Sequence, residues 1–323
     1  MSLSAPSPKK PSPGQPAPKR QPPRQPASGR PAGQQRGEAA GDRGRPPRPN
    51  PLKRYGQNHL VDKNILRAIV DQAAVEPDDV VLEVGAAGGL LTRPLLERAR
   101  IVHAFEIDGR YFGRLDELAA AHEDLRLHKG DALKSDFAAL DPPPTALVAN
   151  LAYNIAIPLI MTTIVALPSL RRWGVMVQRE LGERLFAVPS TKAYSAVSVL
   201  VQLACRREQS RPVPASAFRP RPRVESAFVT FVRRDGAGED APLAHADYMA
   251  MDTLVRRAFG QRRKVLTTTL AGASRGGLSL AREDVRAALA HLELSPAARP
   301  EELAPRQWVA LARTLGWLDT MED

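Results

Sequence analysis

The chain has 323 residues, 46 Lys and Arg against 35 Asp and Glu, 30 prolines and one cysteine. That length suits one or two domains with a sizeable core. No apolar run reaches the ~18 residues of a membrane helix, no apolar stretch follows the basic N-terminus as a secretory leader requires, and the lone Cys205 excludes an internal disulfide and a cysteine-based zinc cluster. A single thiol fits a reducing cytoplasm. The charge is uneven. Residues 1–50 hold 10 basic and 2 acidic residues, 13 prolines and no aromatic residue. Such a segment cannot bury apolar surface, so a disordered basic tail is expected over 1–50. It is either a non-specific RNA tether or a solubilising extension.

Globular patterning starts near Leu52. Ile65, Leu66, Ile69 and Val70 fall at helical spacing. Val80 to Val84 reads as a buried strand, and the small-residue run Gly85-Ala86-Ala87-Gly88-Gly89 follows, with a helix beginning near Leu90. Ile101 to Phe105 is a second strand closed by Glu106. Leu125 to His128 is a third, closed near Asp131. Ala146 to Ala149 is a fourth, closed by Asn150. Val175 to Val177 is a fifth, and Ser198 to Gln202 and Ala227 to Val232 read as late strands. Strands alternating with helices imply βαβ units and a doubly wound α/β sheet, over residues 51–235. Gly236-Ala237-Gly238 reads as a linker. Helical spacing of Tyr248, Met251, Val255 and Ala258, then Val285 and Leu289, then Trp308, Leu311 and Leu315, predicts a small all-helical domain over 240–323.

Ligands of doubly wound sheets bind at the carboxyl ends of the strands. Gly85, Glu106, Asp131 and Asn150 all lie at such ends, 21, 25 and 19 residues apart. A glycine-rich turn lets a cofactor approach the backbone. The run from Glu83 to Gly89 fails the G-x-G-x-x-G dinucleotide pattern. It lies closer to the E-x-G-x-G-x-G of adenosylmethionine-dependent methyltransferases, with Ala87 at the middle glycine. A carboxylate at Glu106 can accept from both hydroxyls of a ribose, and Asp131 can accept from an adenine amine. The plainer alternative is a tight turn followed by surface acids.

Asn150-Leu151-Ala152-Tyr153 is chemically pointed. The lone pair of an exocyclic amine is delocalised into its ring, so two acceptors on the amine hydrogens favour the nucleophilic form. The Asn150 side-chain oxygen and the Ala152 carbonyl would be those acceptors. Tyr153 would stack on an extruded base, and catalysis would come mostly from positioning. The alternative is that Asn150 caps the next helix and Tyr153 belongs to the core.

These segments resemble the ribosomal RNA adenine N6,N6-dimethyltransferase family. Gly56-Gln57-Asn58-His59-Leu60 is similar to its entry motif, with His59 where Phe is usual. Asn150-Leu151-Ala152-Tyr153-Asn154 is similar to its catalytic motif, with Ala152 where Pro is usual. Lys192-Ala193-Tyr194 and Ser216 to Ser226 also resemble it. The resemblance covers roughly residues 52–318. It implies a Rossmann-like class I methyltransferase sheet and S-adenosylmethionine held by Asn58, Leu60, Gly85, Glu106, Asp131 and Asn150. It further implies a target adenine held by Asn150, Ala152 and Tyr153, with Phe218 on another side, and no metal. Phe259-Gly260-Gln261-Arg262-Arg263-Lys264 and Arg299 to Leu303 resemble the small-subunit branch. In that branch two adjacent adenines of a hairpin near the 3′ end of 16S rRNA are dimethylated in a partly assembled 30S subunit. A cytoplasmic monomer is expected. A large-subunit methylase conferring macrolide resistance and a non-catalytic ribosome-assembly factor are the competing expectations. Basic clusters at residues 206–223, at Arg262-Arg263-Lys264 and at Arg171-Arg172 would track a phosphate backbone, or would be solvated faces.

Overall fold

The computed structural model describes residues 58–236 and 241–318. The expected tail, Gly56, Gln57 and most of the 236–238 linker lie outside the described residues.

A seven-stranded sheet organises the molecule. Its strands are β2 (Val80–Val84), β3 (Ile101–Glu106), β4 (Leu125–Lys129), β5 (Ala146–Asn150), β6 (Arg172–Gln178), β7 (Cys205–Val213) and β9 (Ser226–Arg233). The order is β4-β3-β2-β5-β6-β9-β7. β9 pairs antiparallel with both neighbours, and the remaining pairings are parallel. This is the Rossmann-like class I methyltransferase arrangement.

The central strand β2, Val-Val-Leu-Glu-Val, is buried along its whole length. Such continuous apolar runs are what a sheet covered on both faces requires. Strand periodicity divides the core in two. Val81, Val102 and Val148 pack on one side with α1 (Lys63–Gln72), α2 (Thr92–Leu96) and α3 (Phe112–Ala121). Leu82, Leu147 and Val175 pack on the other with α4 (Ala156–Ala166), α5 (Arg179–Leu185) and α6 (Ala196–Ala204). Helix α1 starts where Asp62 accepts from the N–H groups of Asn64 and Ile65, at 2.9 and 3.1 Å. That cap satisfies two otherwise orphaned donors.

The stretch Ser198–Gln202, read from sequence as a strand, is helical and lies inside α6. Its residues Val199, Leu200 and Val201 are all fully buried. An element apolar on every side carries no periodicity to separate helix from strand. The serines decide it. The Ser195 N–H donates to Ser198 Oγ at 3.0 Å, and Ser198 Oγ donates to the Arg184 carbonyl at 2.6 Å. The strand in this part of the chain is β7, whose residues 206–212 are all exposed and polar or proline.

Residues 241–318 carry α7 (His245–Phe259), α8 (Leu266–Thr269), α9 (Arg282–His291) and α10 (Pro305–Thr314). A two-residue hairpin, β10 (Ser274–Arg275) with β11 (Leu278–Ser279), interrupts the helices. This segment shares one hydrophobic core with α4 to α6, through Tyr248, Met251 and Trp308. Tyr194 Oη donates to the Leu303 carbonyl at 2.7 Å, and Tyr248 Oη to that of Leu200 at 3.1 Å. Among the described residues no helix is long and apolar enough to cross a membrane.

Candidate active site

The carboxyl ends of β2, β3, β4 and β5 open on one cavity of about 220 Å³. Asn58, Gly85, Glu106, Asp131, Asn150, Ala152, Tyr153 and Phe218 all line it. Of the cofactor residues expected from sequence, Leu60 alone lies elsewhere. It is buried in the core and lines a smaller adjoining cavity beneath the glycine loop. Its strand β1 (His59–Leu60) pairs antiparallel with β8 (Phe218–Arg219), which holds Phe218 at the cavity.

The loop after β2 turns tightly. Gly85 has φ +86° and Gly89 φ +74°, values that L side chains rarely adopt. Ala87 also sits at positive φ, +47°, so its methyl is carried at a strained backbone position. The loop is fixed from below. The N–H groups of Gly85 and Ala86 donate to the Phe105 carbonyl at 2.9 and 3.1 Å. The Ala87 N–H donates to Glu106 Oε2 at 2.6 Å, and the Asp108 N–H to Oε1 at 2.7 Å. Each oxygen keeps a lone pair, so Glu106 both braces the loop and can accept from a diol. Burial pushes the Glu106 carboxyl up, opposed by those two backbone N–H bonds.

Behind the loop, Glu83 is 1% exposed, and its Oε2 makes no hydrogen bond among the described residues. Burial, with the Glu106 carboxylate nearby, pushes its carboxyl up to about 8. Glu83 is therefore largely protonated at neutral pH. It was legible in the sequence only as the first letter of the loop motif.

Asp131 caps the short turn after β4, accepting from the Leu133 N–H at 3.1 Å. Asn150 does not cap a helix. Its Nδ2 donates to the Asn58 carbonyl at 2.9 Å, tying the end of β5 to the segment that leads into β1. In a planar amide this fixes Oδ1 as the remaining acceptor. The Ala152 carbonyl accepts from the Ile155 N–H at 3.1 Å and retains its second lone pair. Tyr153 is half-buried, and its hydroxyl lies 3.0 Å from Ser226 Oγ on β9. Ser226, which closes the Ser216–Ser226 stretch matched to the family but was given no role of its own, is buried at the start of β9. His59 packs edge-on against Tyr111, with Nε2 2.9 Å from the phenol oxygen.

The basic clusters divide. Arg262 donates to the Thr191 and Lys192 carbonyls at 3.0 and 3.1 Å and lies 3.4 Å from Glu301. Arg172 is paired with Glu76 and Asp79, and Arg171 with Asp79. These three cations are engaged within the protein. Arg263, Lys264, Arg207, Arg221 and Arg223 are exposed.

The model of the family described as ribosomal RNA adenine dimethylase matches residues 50–302. The chain belongs to that family. It is an rRNA adenine dimethyltransferase that uses S-adenosylmethionine, and the strand-end residues fit that cofactor. A ribosomal RNA small subunit methyltransferase A of Rubrobacter xylanophilus is 44% identical over 267 residues, covering 83% of this chain and 96% of that protein. The protein of the same name from Kineococcus radiotolerans is 40% identical, covering 81% of this chain and 85% of its own length. A dimethyladenosine transferase from Plasmodium falciparum superposes with a TM-score of 0.66 at 26% identity, over 80% of this chain and 98% of that one. The 23S rRNA methyltransferase ErmE superposes with a TM-score of 0.61 at 26% identity, over 80% of this chain and all of its own.

Proposed function

We propose that this chain dimethylates two adjacent adenines of a hairpin near the 3′ end of 16S rRNA, acting as a cytoplasmic monomer on a partly assembled 30S subunit. The small-subunit relatives at 35–44% identity favour this target over large-subunit rRNA. The observation that carries the chemistry is the anchored Asn150 amide, with its nitrogen spent on Asn58 and its oxygen left as an acceptor.

Bound S-adenosylmethionine supplies a methyl group on a positively charged sulfur. Gly85 gives it close backbone access, Glu106 accepts from its ribose hydroxyls, and Asp131 accepts from its adenine amine. Asn58 borders it from the segment leading into β1, while Leu60 supports that segment from the core. Asn150 Oδ1 and the Ala152 carbonyl accept from the two hydrogens of the target N6. Those bonds draw the nitrogen lone pair out of conjugation and aim it. Tyr153, braced by Ser226, stacks on the extruded base, and Phe218 closes the opposite side. The nitrogen sheds a proton to solvent after each transfer, so no strong base is required. Positioning of this kind supplies several kcal/mol of a barrier. Residues 51–235 form the catalytic part, and residues 240–323 add an RNA-facing helical part.

The test is primer extension on both rRNAs after incubation with the purified chain and cofactor. Stops at two adjacent small-subunit adenines are expected. Stops confined to large-subunit rRNA would overturn the choice of target. Absence of cofactor binding by calorimetry would leave only an assembly role.

A further inference from the structure

The segment joining β8 to β9 connects two parts of the target-base site. It leaves Phe218, which lines the cavity, and arrives at Ser226, which holds the Tyr153 hydroxyl. Its sequence is Arg219-Pro220-Arg221-Pro222-Arg223-Val224-Glu225. Arg221 and Arg223 are exposed, while Pro222 between them is buried. Both arginines therefore face solvent on either side of the buried Pro222. Pro220 and Pro222 fix φ at alternate positions, so little backbone freedom remains to be lost on binding.

Arg206, Arg211 and Arg219 nearby are engaged within the protein, while Arg207, on β7, is exposed. Arg206 lies 3.7 Å from Glu208, and Arg211 donates to Gln72 Oε1 at 2.9 Å. Arg219 donates to the Phe218 carbonyl at 2.9 Å. The segment's one acid, Glu225, is taken by Arg179, whose Nη1 lies 2.6 Å from Oε2. Among the described residues, Arg221 and Arg223 make no hydrogen bond or ion pair.

We propose that Arg221 and Arg223 grip the phosphates that flank the target adenine and so hold the extruded nucleotide over the cavity mouth. The inference rests on the rRNA reading above and names where that RNA is held beside the site. A base held between Phe218 and Tyr153 sits beside the segment that runs from Phe218 to Ser226, the partner of the Tyr153 hydroxyl, and that segment is where its flanking phosphates would be met. Guanidinium groups bind phosphate bidentately and without sequence preference. The pair acts as positioning residues and touches no reacting atom.

The experiment uses the full chain, unmethylated small-subunit particles and radiolabelled S-adenosylmethionine. Arg221→Gln with Arg223→Gln is expected to raise KM for the particle roughly tenfold, as lost charge-assisted contacts do, and to hold kcat within about twofold. Two lost phosphate contacts on a single strand reduce the slope of log affinity against log salt by about 1.4. Filter binding to the same particle reads that slope without any transfer. Arg221→Lys with Arg223→Lys restores the slope, which a merely structural role would not do. Arg100→Gln, at the opposite end of the sheet, leaves it unchanged. An unaltered salt slope in the Gln pair overturns the proposal, as does a loss confined to kcat. A wild-type chain that binds the particle with a steep slope but transfers no methyl to it would overturn the small-subunit target, while a slope lowered in the Gln pair would still show that the two arginines hold RNA phosphates.

Discussion

Replacing Asn150 by Ala isolates the central feature of the site. The side chain donates from Nδ2 to the Asn58 carbonyl at 2.9 Å, and it presents Oδ1 to the cavity. Losing the anchor costs about 1 kcal/mol of stability, the usual net worth of one hydrogen bond. Losing a preorganised group aimed at a reacting atom costs about 3 kcal/mol of barrier. At ~1.4 kcal/mol per tenfold, that is a fall in kcat of roughly a hundredfold. Asn150→Asp keeps an acceptor but sets a carboxylate against the Asn58 carbonyl, and it should fall between wild type and Ala. The assay is single-turnover methyl transfer at saturating cofactor, with circular dichroism to establish the fold. A loss in kcat below about fivefold in Asn150→Ala would refute the reasoning.

Three further outcomes follow from the same geometry. Glu83 has a folded-state value of about 8 against an ordinary 4.5, so the fold prefers the protonated acid. Its contribution is fully present below pH ~4.5 and is lost as pH rises toward 8. In full the loss is on the order of 5 kcal/mol, at ~1.4 kcal/mol for each tenfold fall in proton concentration across that window. Glu83→Gln should flatten that decline in urea unfolding at pH 5 and pH 8, and an unchanged difference between the two pH values would count against it. Ser226→Ala and Tyr153→Phe remove the same 3.0 Å contact from opposite sides. Each should lower kcat several-fold with cofactor affinity intact, and the double variant should be no worse than either single one; additive losses would show the hydroxyls act separately. Ala87→Gly relieves a residue at φ +47° and should raise stability by about 0.5 kcal/mol, the strain removed less the added freedom of the unfolded chain. A lower melting temperature would contradict it.

The central strands were legible because they are buried on both faces, and Val80 to Val84 reads as a strand without any alternation. Gly85, Glu106 and Asn150 were legible for the same reason, since each closes an apolar run, whereas Asp131 follows the half-polar edge strand β4 and stood out only by its phase with the others. Helix α6 was not, because apolarity on all sides erases period, and its serine bonds are local features that propensity does not weigh. Edge strand β7 was not, because its exposed residues carry charge where a buried strand would carry valine. Within the site, residue types were readable but partnerships were not. The tie from Asn150 to Asn58 spans 92 positions and that from Tyr153 to Ser226 spans 73. The engagement of Arg262 with two carbonyls is equally silent in sequence, which shows only a basic run.

The most direct test is mass mapping of methylated adenines in rRNA from a strain lacking this gene, before and after it is restored. The account predicts two adjacent N6,N6-dimethyladenosines near the 3′ end of the small-subunit rRNA that vanish on deletion and return with the wild-type chain but not with Asn150→Ala. Their persistence in the deletion strain, or the loss of a large-subunit adenine methylation instead, would contradict it.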